Sequence, residues 1–190
     1  MRIIGITGTL VSGKGTLAKY FTGKGFELFS FGNEVRKYIE EDLPTRGPNN
    51  REMQQKWGNA ARNLNKISFW EDRLIPQIKD GKNYVVDGFR YPDQIDTFRR
   101  VFDGNFRLVA VDAPVEKRFS YCLKRNREGD PTTWEEFLEV EQRDQRGYLQ
   151  RNGQNTARCL TMADAKIFNF GTLEELEESG EKFLNEIGYK

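Results

Sequence analysis

The 190-residue sequence predicts an α/β protein with one five-stranded parallel sheet between two layers of helices. Five short runs carry that expectation: RIIGIT at 2–7, FELFS at 26–30, YVVD at 84–87, LVAVD at 108–112 and KIFNF at 166–170. They are apolar nearly throughout instead of alternating, which is the pattern of strands covered on both sides. Apolar residues at helical spacing separate them, and strands that alternate with helices pair in parallel. A chain of this length is most simply one domain, 1–190, because domains run to roughly 150 residues.

The first run feeds directly into GTLVSGKGT at 8–16, a glycine-rich turn that opens a helix. After the second run, residues 31–80 exceed what a minimal alternating sheet requires and read mostly as helix, with Met53, Trp57, Ala61 and Leu64 at i, i+4, i+8 and i+11. LPTRGPNN at 43–50 concentrates Pro, Gly and Asn and predicts a loop; Trp57 and Trp70 are expected in the core. After the fourth run, Val115, Phe119, Cys122 and Leu123 mark a helix. Residues 124–150 then read as a turn and a returning helix with Trp134, Phe137 and Leu138 on one face. The last run leads to Thr172 with Glu175 three residues on, a capping box, and a helix whose apolar face holds Leu173, Leu176, Phe183, Leu184 and Ile187.

Composition removes several classes of chemistry. Histidine is absent, which excludes imidazole acid–base catalysis, His-based triads and imidazole metal sites. The 30 Lys and Arg against 29 Asp and Glu leave a net charge of +1, so anion binding must come from local clusters, and neither nucleic acid nor membrane is an expected partner. Cys122 and Cys159 match no zinc or redox spacing and are expected as buried thiols in a reducing compartment. No apolar stretch approaches the roughly 20 residues that span a bilayer, and MRIIGITG reads as strand rather than as a cleavable signal; the expected location is cytoplasmic.

The strand-to-helix turn carries Gly8, four residues, then Gly13 and Lys14. In that context backbone N–H groups point inward, the helix N-terminus adds a positive dipole end, and the lysine reaches the outer phosphates of a nucleotide. A hydroxyl residue usually follows the lysine; here Gly15 takes that slot and Thr16 comes one place later. The glycine lets backbone approach phosphate with no side chain in the way, at the cost of a direct hydroxyl ligand to Mg²⁺ from that position.

The stretch resembles the phosphate loops of adenylate kinase and related nucleoside monophosphate kinases, which end in the same Gly-Lys-Gly-Thr; Leu10 and Val11 stand where those have Pro and Gly. The resemblance implies a three-layer P-loop kinase fold, ATP and Mg²⁺ as cofactors, and an ATP site at Gly8, Val11, Ser12, Gly13, Lys14, Gly15, Thr16 and Leu17. VVDGFRYPDQID at 85–96 is similar to the Asp-Gly-Phe-Pro-Arg and following Gln of adenylate kinases, one residue shorter here. It implies that Asp87, with Thr16, orders the metal mainly through water, that Arg90 holds the acceptor phosphate, and that Gln94 reads the acceptor base. FSFGNEVRKYIEE at 29–41 looks like the acceptor segment of the same enzymes and assigns Arg36 to that phosphate, although an ion pair with Glu40 is a competing reading. NREMQQKWGNAARNL with FWEDR resembles phage deoxynucleoside monophosphate kinases more loosely.

From about 107 onward the chain is similar to archaeal adenylate-kinase-like proteins and, more distantly, to dephospho-CoA kinases. In those families the turn after the last strand borders adenine, which here implies Asn169 and Gly171. Arg125 and Arg127, at the tip of the 124–150 hairpin, are implied as catalytic lid residues beside Lys14, Arg90 and Asp87. A sugar-hydroxyl acceptor would need a carboxylate base, and FSFG after the second strand offers none, whereas an ionised phosphate needs arginines. The resulting expectation is an ATP-dependent nucleoside or deoxynucleoside monophosphate kinase with small nucleotides as its partners. A dephospho-CoA-kinase-like hydroxyl phosphotransferase and a P-loop regulatory ATPase are the alternatives.

Overall fold

A computed structural model describes residues 1–41, 51–127, 129–145 and 153–189, with Arg51 and Glu52 described by their backbone only. The loop expected at 43–50, and residue 128 and residues 146–150 of the expected lid, lie outside the described residues. The chain runs β1 (Ile3–Gly8), α1 (Lys14–Gly23), β2 (Phe26–Ser30), α2 (Phe31–Glu41), α3 (Arg51–Leu64), α4 (Phe69–Leu74), β3 (Asn83–Asp87), α5 (Pro92–Phe102), β4 (Phe106–Asp112), α6 (Val115–Arg125), α7 (Trp134–Gln145), α8 (Thr156–Thr161), β5 (Ala165–Phe168) and α9 (Leu173–Glu186). All five strands coincide with the five apolar runs.

The strands pair in parallel in the order β2-β3-β1-β4-β5. β1 is therefore central. Because successive side chains alternate between faces, each buried strand feeds two cores. Ile3, Tyr84, Val86, Phe106 and Leu108 pack on one face with residues of α2 to α5 and α8. Ile4, Ile6, Val85, Val109 and Val111 pack on the other with Leu17, Phe21, Leu176 and Phe183 of α1 and α9. A third, smaller cluster joins Leu10 of the glycine-rich turn to Cys122 and Phe137 of the α6–α7 hairpin.

The expected capping box is present: Glu175 N donates to Thr172 Oγ1 at 3.3 Å, and Thr172 N donates to Glu175 Oε2 at 2.8 Å. Trp70 is buried, its indole N–H donating to Gly58 O at 2.9 Å, and Trp57 is partly buried against the same core. Leu64 and Leu123 depart from expectation: each sits at or near the last turn of its helix and is exposed. Cys122 and Cys159 are both buried, and burial pushes the Cys159 thiol up to about 12, so it stays protonated and inert. No helix among the described residues is long and apolar enough to cross a membrane.

A buried pair of ionisable groups, Arg62 and Glu71, lies beside the first core. Arg62 of α3 and Glu71 of α4 are buried 3.7 Å apart, Arg62 also pairs with Asp93, and its guanidinium covers the Tyr91 ring at 4.0 Å. Neither Glu71 carboxylate oxygen has a hydrogen-bond partner, and burial pushes the group up to about 7 from an ordinary 4.5. The fold thus favours the neutral carboxyl. Its contribution is complete below pH 4.5 and is lost as pH rises through about 7. In urea denaturation at pH 4.5 and pH 8, the stability of Glu71→Gln relative to the parent should rise by about 3 kcal/mol over that interval. A difference independent of pH would contradict the reading.

Candidate active site

The strands all end on one side, and the chain segments that leave those ends form the site. Ile6 is level with Asp87, Asp87 with Ser30, Gly8 with Val111 and Asp112 with Phe168. In open parallel sheets that edge is where ligands bind. It opens here into a cavity of about 660 Å³.

The turn from β1 to α1 forms the cavity floor. Gly13 caps α1 at φ 103°, a left-handed conformation, and a Cβ there would stand 2.7 Å from Asn169 Nδ2. A Cβ on Gly8 would meet Val111 O at 2.1 Å. Gly15 differs from both: a Cβ there would touch nothing within 4 Å. Among the described residues no atom demands glycine at 15, so the open space beside α1's first turn is what its missing side chain preserves. Val11 has φ 56°, left-handed backbone for a β-branched residue, a strain of about 1–3 kcal/mol.

Side chains, local and remote, tie the turn down. Lys14 Nζ donates to Gly8 O at 3.0 Å and Thr9 O at 2.5 Å, Asn169 Nδ2 donates to Ser12 O at 3.1 Å, and Thr9 Oγ1 donates to Asp112 Oδ1 at 2.6 Å. With these carbonyls engaged, α1's N-terminal amides are left to face the cavity. Asn169 thereby acts on the loop, at a position the resemblance had assigned to adenine.

Four arginines line the same cavity: Arg36 of α2, Arg90 after β3, and Arg125 and Arg127 at the hairpin tip. Arg36 donates to Gln54 Oε1 at 3.3 Å and to Asn33 Oδ1. Burial, together with the facing Arg127 guanidinium, holds Arg36 below its ordinary range. Arg127 has no side-chain hydrogen bond or ion pair among the described residues; its backbone N–H donates to Asp130 Oδ2 at 3.3 Å. Arg125 forms a bidentate pair with Asp130, Nε to Oδ2 at 2.8 Å and Nη2 to Oδ1 at 2.5 Å. Arg90 Nη1 donates to Asp144 Oδ2 at 3.2 Å and to Gln154 Oε1 at 3.1 Å.

Asp87 lies beneath this positive rim, with Oδ1 buried and without a hydrogen-bond partner. Burial pushes its carboxyl up, while Lys14, Arg90 and Arg36 oppose that rise. Thr16 lines the cavity at the exposed start of α1. Among the described residues there is no cluster of three or more His, Cys, Asp or Glu able to enclose a metal unaided.

Leu17 stands away from the place expected of it. Leu17 is wholly buried in the core under α9, and its N–H donates to Gly13 O, so it does not line the cavity. Gln94 is buried, and its side-chain carbonyl accepts from the N–H groups of Arg90 and Tyr91 at 3.0 and 3.2 Å, capping α5. That oxygen cannot also read a base. A glutamine three residues after a helix's start is itself a capping signal. Gln94 borders a smaller adjoining cavity of about 90 Å³, with Gln55, Trp70 and Gln154. Sequence reading missed Asp144 and the Tyr121, Leu173 and Leu176 side chains that line the cavity beside Gly171.

Over 191 aligned residues the chain is 31% identical to a UPF0200 protein of Thermococcus kodakarensis, covering 97% of each. The chain belongs to the UPF0200 family. A UPF0200 protein of Methanoregula boonei is 30% identical over 178 residues, 92% of this chain and 91% of that one. No protein-family model matches this UPF0200 chain. Among solved structures, TT1252 from Thermus thermophilus aligns with a TM-score of 0.61 at 20% identity, over 97% of both chains. Shikimate kinase from Aquifex aeolicus aligns at 0.55 and 15%, over 98% of this chain and 99% of that one. Dephospho-CoA kinase from Campylobacter jejuni aligns at 0.52 and 14%, over 98% and 97%. At those identities the likeness establishes the fold alone, and the UPF0200 chain has the three-layer P-loop kinase fold expected of it.

The contrast between Gly13 and Gly15 is directly measurable. Gly13→Ala should cost the protein about 2 kcal/mol or more, through the left-handed backbone and the Asn169 clash. Gly15→Ala should be neutral or stabilising by up to about 1 kcal/mol, the helix-propensity gain. Equal losses in urea denaturation would contradict the assignment of the open space at 15.

Proposed function

We propose that this UPF0200 protein is an ATP-dependent nucleoside or deoxynucleoside monophosphate kinase. One observation carries the reading: Arg36, Arg90 and Arg127 converge with Lys14 on one cavity above Asp87, with the Arg36 and Arg127 guanidinium groups close enough to repel each other. Like charges held together in a fold call for an anion between them. A nucleoside monophosphate already ionised near neutral pH needs that clamp and no base.

In this reading the α1 amides and Lys14 hold the triphosphate, Lys14 exchanging its loop carbonyls for phosphate oxygens. Tyr121, Leu173 and Leu176 offer an apolar wall to adenine. Arg36 and Arg90 hold the acceptor phosphate, and its base enters the adjoining cavity among Gln54, Gln55 and Gln154. An acceptor oxygen attacks the γ-phosphorus and ADP leaves, while Arg125 and Arg127 stabilise charge on the moving group and exclude water. Mg²⁺ fits the orphaned Asp87 oxygen and the Thr16 hydroxyl, and when bound it neutralises the phosphate chain.

Asp144 favours a second reading. Its carboxylate lines both cavities beside Arg90, so a carboxylate near the acceptor exists after all, supplied by α7 rather than by the segment after β2. A hydroxyl acceptor could use it as a base.

ADP release should be measured across all common nucleoside and deoxynucleoside monophosphates and dephospho-CoA. The proposal expects turnover with at least one monophosphate, and an Arg36→Ala variant whose acceptor KM rises at least about tenfold. No turnover above ATP alone would overturn it. Turnover of a hydroxyl acceptor, abolished by Asp144→Asn, would establish the second reading instead. Gly15→Ala should weaken ATP binding about tenfold or more despite its intact stability.

A further inference from the structure

We infer that Arg118, oriented by the buried carboxylate of Glu141, is a positioning residue that holds the strained tip of the phosphate loop, Leu10–Val11. The inference rests on the nucleotide-binding reading of that loop. Val11 is the β-branched residue at φ 56°, and a free chain would relax it to negative φ. Its neighbour is gripped from the hairpin. Leu10 O accepts from Arg118 Nη1 at 3.3 Å, and the Leu10 side chain is buried between Cys122 of α6 and Phe137 of α7, with Val11 packed against the same cluster.

Arg118 is suited to one geometry. It is 5% exposed and absent from the cavity lining, so its donors serve the protein and not a ligand. Nε donates to Ala113 O at 2.7 Å, Nη2 pairs with Glu141, itself buried on α7, and the guanidinium lies over the Phe137 ring at 5.8 Å. Asp112 Oδ1 is 4.0 Å from Nε and accepts from Thr9 Oγ1, so one network touches loop residues 9 and 10 together. A buried Arg–carboxylate pair is weak evidence of stability, because desolvation offsets the attraction. Its planar fork fixes direction, and here the direction is toward the carbonyl next to the strained residue. The apolar Leu10 and Val11, where similar loops have Pro and Gly, are explained by the same contact: they form the loop's half of the joint.

The test is titration of each folded variant with a fluorescent N-methylanthraniloyl ATP, with melting temperature recorded in parallel. Arg118→Ala should weaken nucleotide binding about tenfold. In a Val11→Gly background, where the tip is unstrained, the same substitution should cost no more than about twofold against its own parent. A merely structural arginine would lower the melting temperature equally in both backgrounds and leave the affinity of folded protein unchanged, and that result would overturn the inference. If Arg118→Ala does not fold, Arg118→Lys keeps the charge opposite Glu141 but cannot reach Leu10, Ala113 and Glu141 at once. It should melt near the parent and still lose affinity; unchanged affinity would overturn the inference. Failure of the parent protein itself to bind the nucleotide would overturn the nucleotide reading and this inference with it.

Discussion

Between Gly8 and Lys14 the chain passes through a left-handed valine and a left-handed glycine, and its carbonyls are held by Lys14 itself and by side chains from two remote stretches. Asn169, from beyond β5, takes Ser12 O; Arg118, from α6, takes Leu10 O; Lys14 turns back onto Gly8 O and Thr9 O. Each of these bonds satisfies a backbone acceptor of the turn, and none of them consumes an amide donor. The sheet order makes this possible. With β1 central, the turn lies between the end of β3, which bears Asp87, and the end of β4, which bears Asp112, and both flanks are fixed by parallel pairing.

The rest of the site is a balance of charge around that turn. Lys14, Arg36, Arg90, Arg125 and Arg127 line one cavity, and only some of them are neutralised where they stand. Arg125 is paired with Asp130 and Arg90 with Asp144, whereas Arg36 donates to neutral amides and faces Arg127. Glu141 and Asp144 are one turn apart on α7, both buried; the first holds Arg118 beneath the phosphate loop, the second holds Arg90 beside it. One helix face thus sets the position of both the glycine-rich loop and Arg90.

Much of this was legible in the residues. Strands buried on both faces are apolar throughout, so all five stood out, and the Thr172–Glu175 cap is a local pattern with a local cause. The loop's glycines and Lys14 marked the strand-to-helix turn because their backbone roles are set within a few residues. Pairings between distant elements left no such mark. Glu141 and Asp144 lie in a charged stretch that reads as a solvated helix face, and Arg118 looks like any surface arginine until α7 packs over it. Leu17 was misread because motif position hid its ordinary duty in the core, and the capping duty of the Gln94 carbonyl was hidden in the same way. Val11 stands where similar loops have Gly, and its φ of 56° is the left-handed backbone that glycine adopts without strain.

The central claim is that one cavity holds a nucleoside triphosphate and a phosphate-bearing acceptor end to end. A crystal structure with a pentaphosphate-linked dinucleoside, which joins donor and acceptor in a single molecule, tests it most directly. One end of the phosphate chain should lie on the α1 amides and Lys14, the other on Arg36 and Arg90, with Arg127 between them. A phosphate chain bound elsewhere, or an acceptor end that leaves Arg36 and Arg90 untouched, would contradict it.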